Sequence, residues 1–215
     1  MAHPMAMTLA PPSAQTESLA PILLPQDVKL SLEQFEAVCR ANPDAVLELS
    51  HDGELIRMTP TGGETGARNS RLVMRLLAWA DQQGGWQVFD SSSGFRLPDG
   101  SVLSPDASLV RQERWHALAP EQRRGFPPIC PDLVLELASP SEEGPRGLTA
   151  LRRKMEAYQA NGALLGWLLI PEQRAVEIWP TRDGGEPERL EAATQLAGGQ
   201  LFPDLQINLE EIWEV

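Results

Sequence analysis

The sequence predicts an α/β (α+β) fold, a buried β-sheet covered by helices. Leu133-Val134-Leu135-Glu136-Leu137-Ala138 is an almost continuous apolar run of strand length, the pattern of a strand covered on both faces. Leu148 to Ala160 then follows a helical period: with Leu151 as origin, Leu148, Met155 and Tyr158 fall within about 60° of it. The 215 residues suffice for one domain with a substantial core.

Taken in order, Met1 to about Asp27 repeats Ala, Pro and Ser without a sustained period and reads as a flexible arm, leaving 28–215 as the single folded domain. Ser31-Leu32-Glu33-Gln34 has the capping-box pattern and opens a helix through about Arg40. Val46 to Leu49 and Glu54 to Met58 form a hairpin around Asp52-Gly53, so helix and hairpin make an N-terminal cover. Pro60 to Gly66 is a glycine-rich loop leading into a helix from about Ala67 to Gln83, which Gly84-Gly85 ends before a strand Trp86 to Phe89. After the turn Pro98-Asp99-Gly100 comes a short strand, Asp106 to Val110. Gln112 to Pro128 is charged and proline-flanked, with Trp115, His116 and Phe126 available to pack or to rim a cleft. Trp167 to Ile170 and Ala175 to Trp179 form a hairpin about Pro171-Glu172, and an apolar segment runs from Leu201 to Trp213.

Chemistry concentrates on Asp106, Glu136 and Lys154. A carboxylate inside an apolar strand is neutralised, paired or bound to a metal, because burying it bare is too costly. Strand alternation puts Asp132, Val134, Glu136 and Ala138 on one face. Lys154 falls beside Tyr158 on the flank of the helix's apolar stripe, whereas Arg152 and Arg153 fall at about 100° and 200°, toward solvent. The plain structural alternative is that Asp106 caps a turn and Glu136 pairs with Lys154 in the interior. Asp132, within a Pro-Asp dipeptide, reads as a turn acid, and Ser139-Pro140-Ser141 as the end of the strand.

Composition excludes several classes. The formal charge of −12 argues against generic polyanion binding, which depends on Lys and Arg neutralising phosphates. A local basic stripe of Arg68, Arg71 and Arg75 on the second helix is a candidate phosphate contact, set against an ordinary solvated face. The glycine-rich loop lacks the Lys-Ser/Thr ending of a nucleotide-binding P-loop, and Glu64 within it is a candidate supporting acid or a simple partner of the helix dipole. Cys39 and Cys130, with His3, His51 and His116, form neither a disulfide framework nor a metal-ligand spacing. No basic, apolar leader opens the chain, and no apolar run reaches the roughly 18 residues of a membrane span; a cytoplasmic protein is expected.

The chain resembles the Uma2 family, restriction-endonuclease-like proteins of the PD-(D/E)XK nuclease fold, over roughly Leu30 to Trp179. The resemblance is carried by MTPTGGE (Met58 to Glu64), SPDAS (Ser104 to Ser108), CPDLVLELASPS (Cys130 to Ser141), LRRKMEAYQANGA (Leu151 to Ala163) and GWLLIPEQRAVEIW (Gly166 to Trp179). It implies a mixed β-sheet flanked by helices, with Asp106 and Glu136 as metal-binding acids. The third motif position, two residues after Glu136, is Ala138 rather than lysine, so the ammonium would come from Lys154 on the next helix. The implied activity is Mg²⁺-dependent hydrolysis of DNA, with Mn²⁺ as a possible substitute and a homodimer as a plausible assembly. The competing expectation is a catalytically weak or inactive nuclease-fold binding or scaffold protein.

Overall fold

The computed structural model describes residues 28–58, 60–180 and 185–215; the expected arm, Met1 to Asp27, lies outside them. Helix α1 (Leu32–Ala41) starts at the expected capping box: Ser31 Oγ accepts the Gln34 N–H at 3.2 Å, and Gln34 Oε1 accepts the Ser31 N–H at 2.8 Å. Strands β1 (Leu47–Leu49) and β2 (Leu55–Arg57) form the hairpin, with Gly53 at φ 81° in its turn. Helix α2 (Gly63–Gln83) begins four residues before the expected Ala67, so the glycine-rich loop is shorter than its composition suggests. Glu64 in its first turn suits the helix dipole, and Thr65 and Arg68 are already buried there, which outweighs the poor helix propensity of Gly63 and Gly66.

After the left-handed pair Gly84-Gly85 come β3 (Trp86–Asp90), β4 (Phe95–Arg96), β5 (Val102–Leu103) and β6 (Ala107–Arg111). Short helices α3 (Gln112–His116) and α4 (Pro120–Arg124) occupy the charged segment, followed by β7 (Leu133–Leu137), α5 (Pro145–Ala160), β8 (Leu165–Ile170) and β9 (Ala175–Trp179). The chain ends in β10 (Glu188–Leu190), β11 (Gln195–Ala197), β12 (Gln206–Asn208) and α6 (Glu210–Trp213). The β10 and β11 strands have no expected counterpart, because Glu-Arg-Leu and Gln-Leu-Ala are too short to display an alternation.

The main sheet has the order β10-β9-β8-β7-β6-β3. It is mixed: β3, β6 and β7 run antiparallel in sequence, α5 crosses over, and β8 returns parallel to β7 before β9 and β10 reverse again. Alternation along β7 holds. Leu133, Leu135 and Leu137 pack with Leu72, Leu76 and Trp79 of α2 and with Phe202 and Ile207 from the C-terminal segment. Val134 and Ala138, on the other face, pack with Leu148, Leu151, Met155 and Tyr158 of α5. Burying these four α5 side chains stabilises the layer by about 1.5–3 kcal/mol for each large apolar group.

A second sheet, β2-β1-β5-β4, carries the N-terminal cover, with Phe35, Leu49 and Val102 in its own small core. The hairpin is thus bound edge to edge to β5, two residues of which sit just before Asp106 in sequence. This junction brings β1 to the end of β6 and β7.

Candidate active site

Asp106 sits at the bend just before β6 rather than as its first residue. Extending the register from Ala107 and Leu135 sets it opposite Glu136. Its Oδ2 accepts the Leu137 N–H at 2.8 Å, a bond that fixes the carboxylate at the end of the ladder. Glu136 is buried on the α5 face of β7, where its Oε1 accepts from the Tyr158 hydroxyl at 3.2 Å and from Lys154 Nζ at 2.9 Å. Tyr158 lies one turn beyond Lys154, so one helical stripe delivers both donors to the same oxygen.

Lys154 uses three acceptors: Glu136 Oε1, Glu48 Oε1 at 2.8 Å and the Ser104 carbonyl at 2.9 Å. An ammonium has three hydrogens to give, so this set matches it. The side chains of Glu48 and Glu136 are each 3 % exposed and that of Lys154 11 %, so the ion cluster is almost wholly buried.

Glu48 is the site residue that sequence reasoning missed. It lies on β1, in the part read as cover, and its Oε1 also accepts the Ser104 N–H at 2.7 Å. The signal was present: Leu47-Glu48-Leu49 repeats the Leu135-Glu136-Leu137 pattern of an acid inside an apolar strand.

Charge is unbalanced here. With every group charged, Glu48, Asp106, Glu136 and Lys154 sum to −2. Burial raises the Glu136 carboxyl to about 8, with Asp106 and Glu48 adding to the rise and Lys154 opposing it. Burial also raises Asp106, against the pull of Lys154 and the Leu137 N–H. For Lys154, burial disfavours the charge, but Glu136, Glu48 and Asp106 outweigh it and hold the ammonium above the usual lysine range. Tyr158 is raised by burial and then by Glu136, and so stays a donor.

Among the described residues, no hydrogen-bond donor reaches Asp106 Oδ1 or Glu136 Oε2. These hard oxygens, beside surplus negative charge, fit a divalent cation such as Mg²⁺. Among the described residues, no three His, Cys, Asp or Glu side chains form a group able to hold a metal on their own. Two carboxylates completed by water or phosphate oxygen are the arrangement these residues can offer.

Other sequence candidates fall elsewhere. The arginine stripe is divided: Arg71 is exposed, but Arg75 pairs with Glu211, and Arg68 is 6 % exposed with its Nε donating to the Ile212 carbonyl at 3.2 Å. Packing of α6 on α2 thus engages Arg68 and Arg75 of the candidate phosphate stripe within the protein and leaves Arg71 exposed. Glu64 is exposed and its ionic neighbour is Arg68 at 4.0 Å; the leading charges on Asp106 are Lys154, Glu142 and Glu48, and those on Glu136 are Lys154, Asp106 and Glu48. Arg152 does not simply face water: it makes a two-nitrogen contact with Glu177 of β9, because the sheet extends beneath that flank of α5. Asp132 accepts from Arg114 at 2.7 Å and from the Arg111 N–H at 2.8 Å, a structural role. Ser139 gives its N–H and hydroxyl to Glu142 Oε2 at the end of β7.

This mixed sheet flanked by helices is shared with a solved structure. A crystal structure from Anabaena variabilis, described as a "putative nuclease belonging to DUF820", superposes with a TM-score of 0.69 at 18% identity, covering 86% of this chain and 98% of that one. The model of the Uma2 family, described as "Putative restriction endonuclease", matches residues 32–210, and the chain belongs to that family. No curated protein matches it.

Proposed function

We propose that this protein is a divalent-cation-dependent endonuclease that hydrolyses DNA phosphodiester bonds. The observation that carries the reading is the meeting of Asp106, Glu136 and Lys154 at one end of the β6–β7 pair, with surplus negative charge around the amine. Asp106 and Glu136 would hold Mg²⁺, or Mn²⁺ in its place. When bound, the cation supplies Lewis acidity toward a phosphoryl oxygen and makes water a better nucleophile. The Leu137 N–H and the Tyr158 hydroxyl orient the two carboxylates. Once Glu136 turns to the cation, Lys154 would have one hydrogen free for water or a phosphate oxygen, stabilising the negative charge that develops as the P–O bond breaks.

Duplex cleavage by a homodimer belongs to this reading, since two related sites would address two strands. The competing reading, a nuclease-fold binding protein with little turnover, draws on the net charge of −12 and the pairing of Arg68 and Arg75 within the protein. The deciding experiment incubates purified protein with plasmid and linear DNA, with Mg²⁺, with Mn²⁺ and with chelator. Cleavage that needs the cation and falls by about 100-fold or more in correctly folded Asp106→Ala, Glu136→Ala and Lys154→Ala proteins is expected. Cleavage unchanged in the three variants would overturn the assignment, and DNA binding without turnover would favour the scaffold.

A further inference from the structure

We infer that Glu48 is a positioning residue which, with Ser104, clamps Lys154 independently of Glu136, so that the ammonium keeps its place when Glu136 turns to a cation. This deepens the nuclease reading and rests on it. Two of the three Lys154 acceptors, Glu48 Oε1 and the Ser104 carbonyl, are themselves joined, because the Ser104 N–H donates to that same Glu48 oxygen at 2.7 Å. The three groups form a closed unit on β1, the β5–β6 connection and α5. Glu136 is outside this unit and is held separately by Tyr158. Transferring Glu136 to a cation would cost Lys154 one acceptor and leave two.

The clamp also gives the N-terminal sheet a role beyond cover. Glu48 is held by the β1–β5 pairing, and Ser104 follows β5 directly, so the second sheet fixes the height of the amine above β7. A carboxylate serves better than a neutral group: it accepts from both an amide and an ammonium and offsets the buried positive charge.

The test uses Glu48→Gln, which retains an oxygen for the Ser104 N–H but removes the charge, beside Glu136→Gln and wild type. Three quantities are read: Mn²⁺ affinity by calorimetry, kcat and KM for DNA cleavage, and acylation of Lys154 by an amine-reactive reagent, followed by mass spectrometry. Glu48→Gln is expected to lower kcat by about tenfold or more with KM within about threefold. Its Mn²⁺ affinity stays within about threefold of wild type while Glu136→Gln loses most of it, and Lys154 acylates about tenfold faster only in the Glu48 variant. Mn²⁺ affinity lost equally in both variants would make Glu48 a ligand and overturn the clamp; so would unchanged acylation. Should wild type cleave no DNA, the nuclease reading falls, and the acylation rates decide the clamp alone.

Discussion

Glu136 lies on a strand buried on both faces, so its charge is costly until something balances it. Its ordinary value is 4.5, and burial raises it to about 8 in the folded protein. Between those values the folded state keeps a proton that the unfolded chain has released, so stability falls as pH rises through that window and levels off above it. In chelator, wild-type stability measured by urea unfolding should therefore decline from about pH 5 to about pH 8, and Glu136→Gln should show a shallower slope. Equal slopes in the two proteins would mean that the carboxyl titrates elsewhere. A cation competing for the same carboxylate should stabilise wild type more at the alkaline end than at the acidic end.

At the scale of elements, the β7–α5 connection links the acids to the amine. Ser139 and Glu142 close it through two hydrogen bonds, and Glu142 adds to the negative charge felt by Asp106. Gly147, in the first turn of α5, sits against this loop: a Cβ there would lie 2.3 Å from the Glu142 carbonyl oxygen and 2.4 Å from its Cα. Backbone cannot swing aside as a side-chain tip does, so Gly147→Ala should displace the loop at a cost of about 1–3 kcal/mol. A lowered melting temperature with reduced cleavage is the expected result; a melting temperature within about 1 °C of wild type would show that the connection yields freely. Gly166 presents a different case, since its nearest obstacle is a side-chain tip, the Cε of Met155.

For the molecule as a whole, an acidic composition and a divided arginine stripe leave little phosphate-neutralising power outside the proposed cation site. Duplex DNA should bind weakly in chelator, and the plot of log affinity against log salt should have a slope no steeper than about −3. A steep slope, on the order of −6 or beyond, would reveal a basic face that the pairing of Arg68 and Arg75 does not suggest. Among the described residues no helix is long and apolar enough to cross a membrane.

Much of this was legible in the chain because it is local. The apolar run at Leu133–Leu137, the capping box at Ser31, and the helical phase that sets Lys154 beside Tyr158 depend on neighbours a few residues away. The approach of Lys154 to Glu136 followed from those phases, since α5 is the crossover after β7. Other features depend on contacts across the fold. Arg68 and Arg75 share a stripe in sequence, yet α6, more than a hundred residues later, determines what they touch. Glu48 belongs to another sheet, and its acid-in-an-apolar-strand pattern names no partner until β1 pairs with β5. Periodicity fixed which side of each element is wet or dry; only packing between distant segments decided which charges meet, because Coulomb and hydrogen-bond contacts act over a few ångströms of space irrespective of separation along the chain.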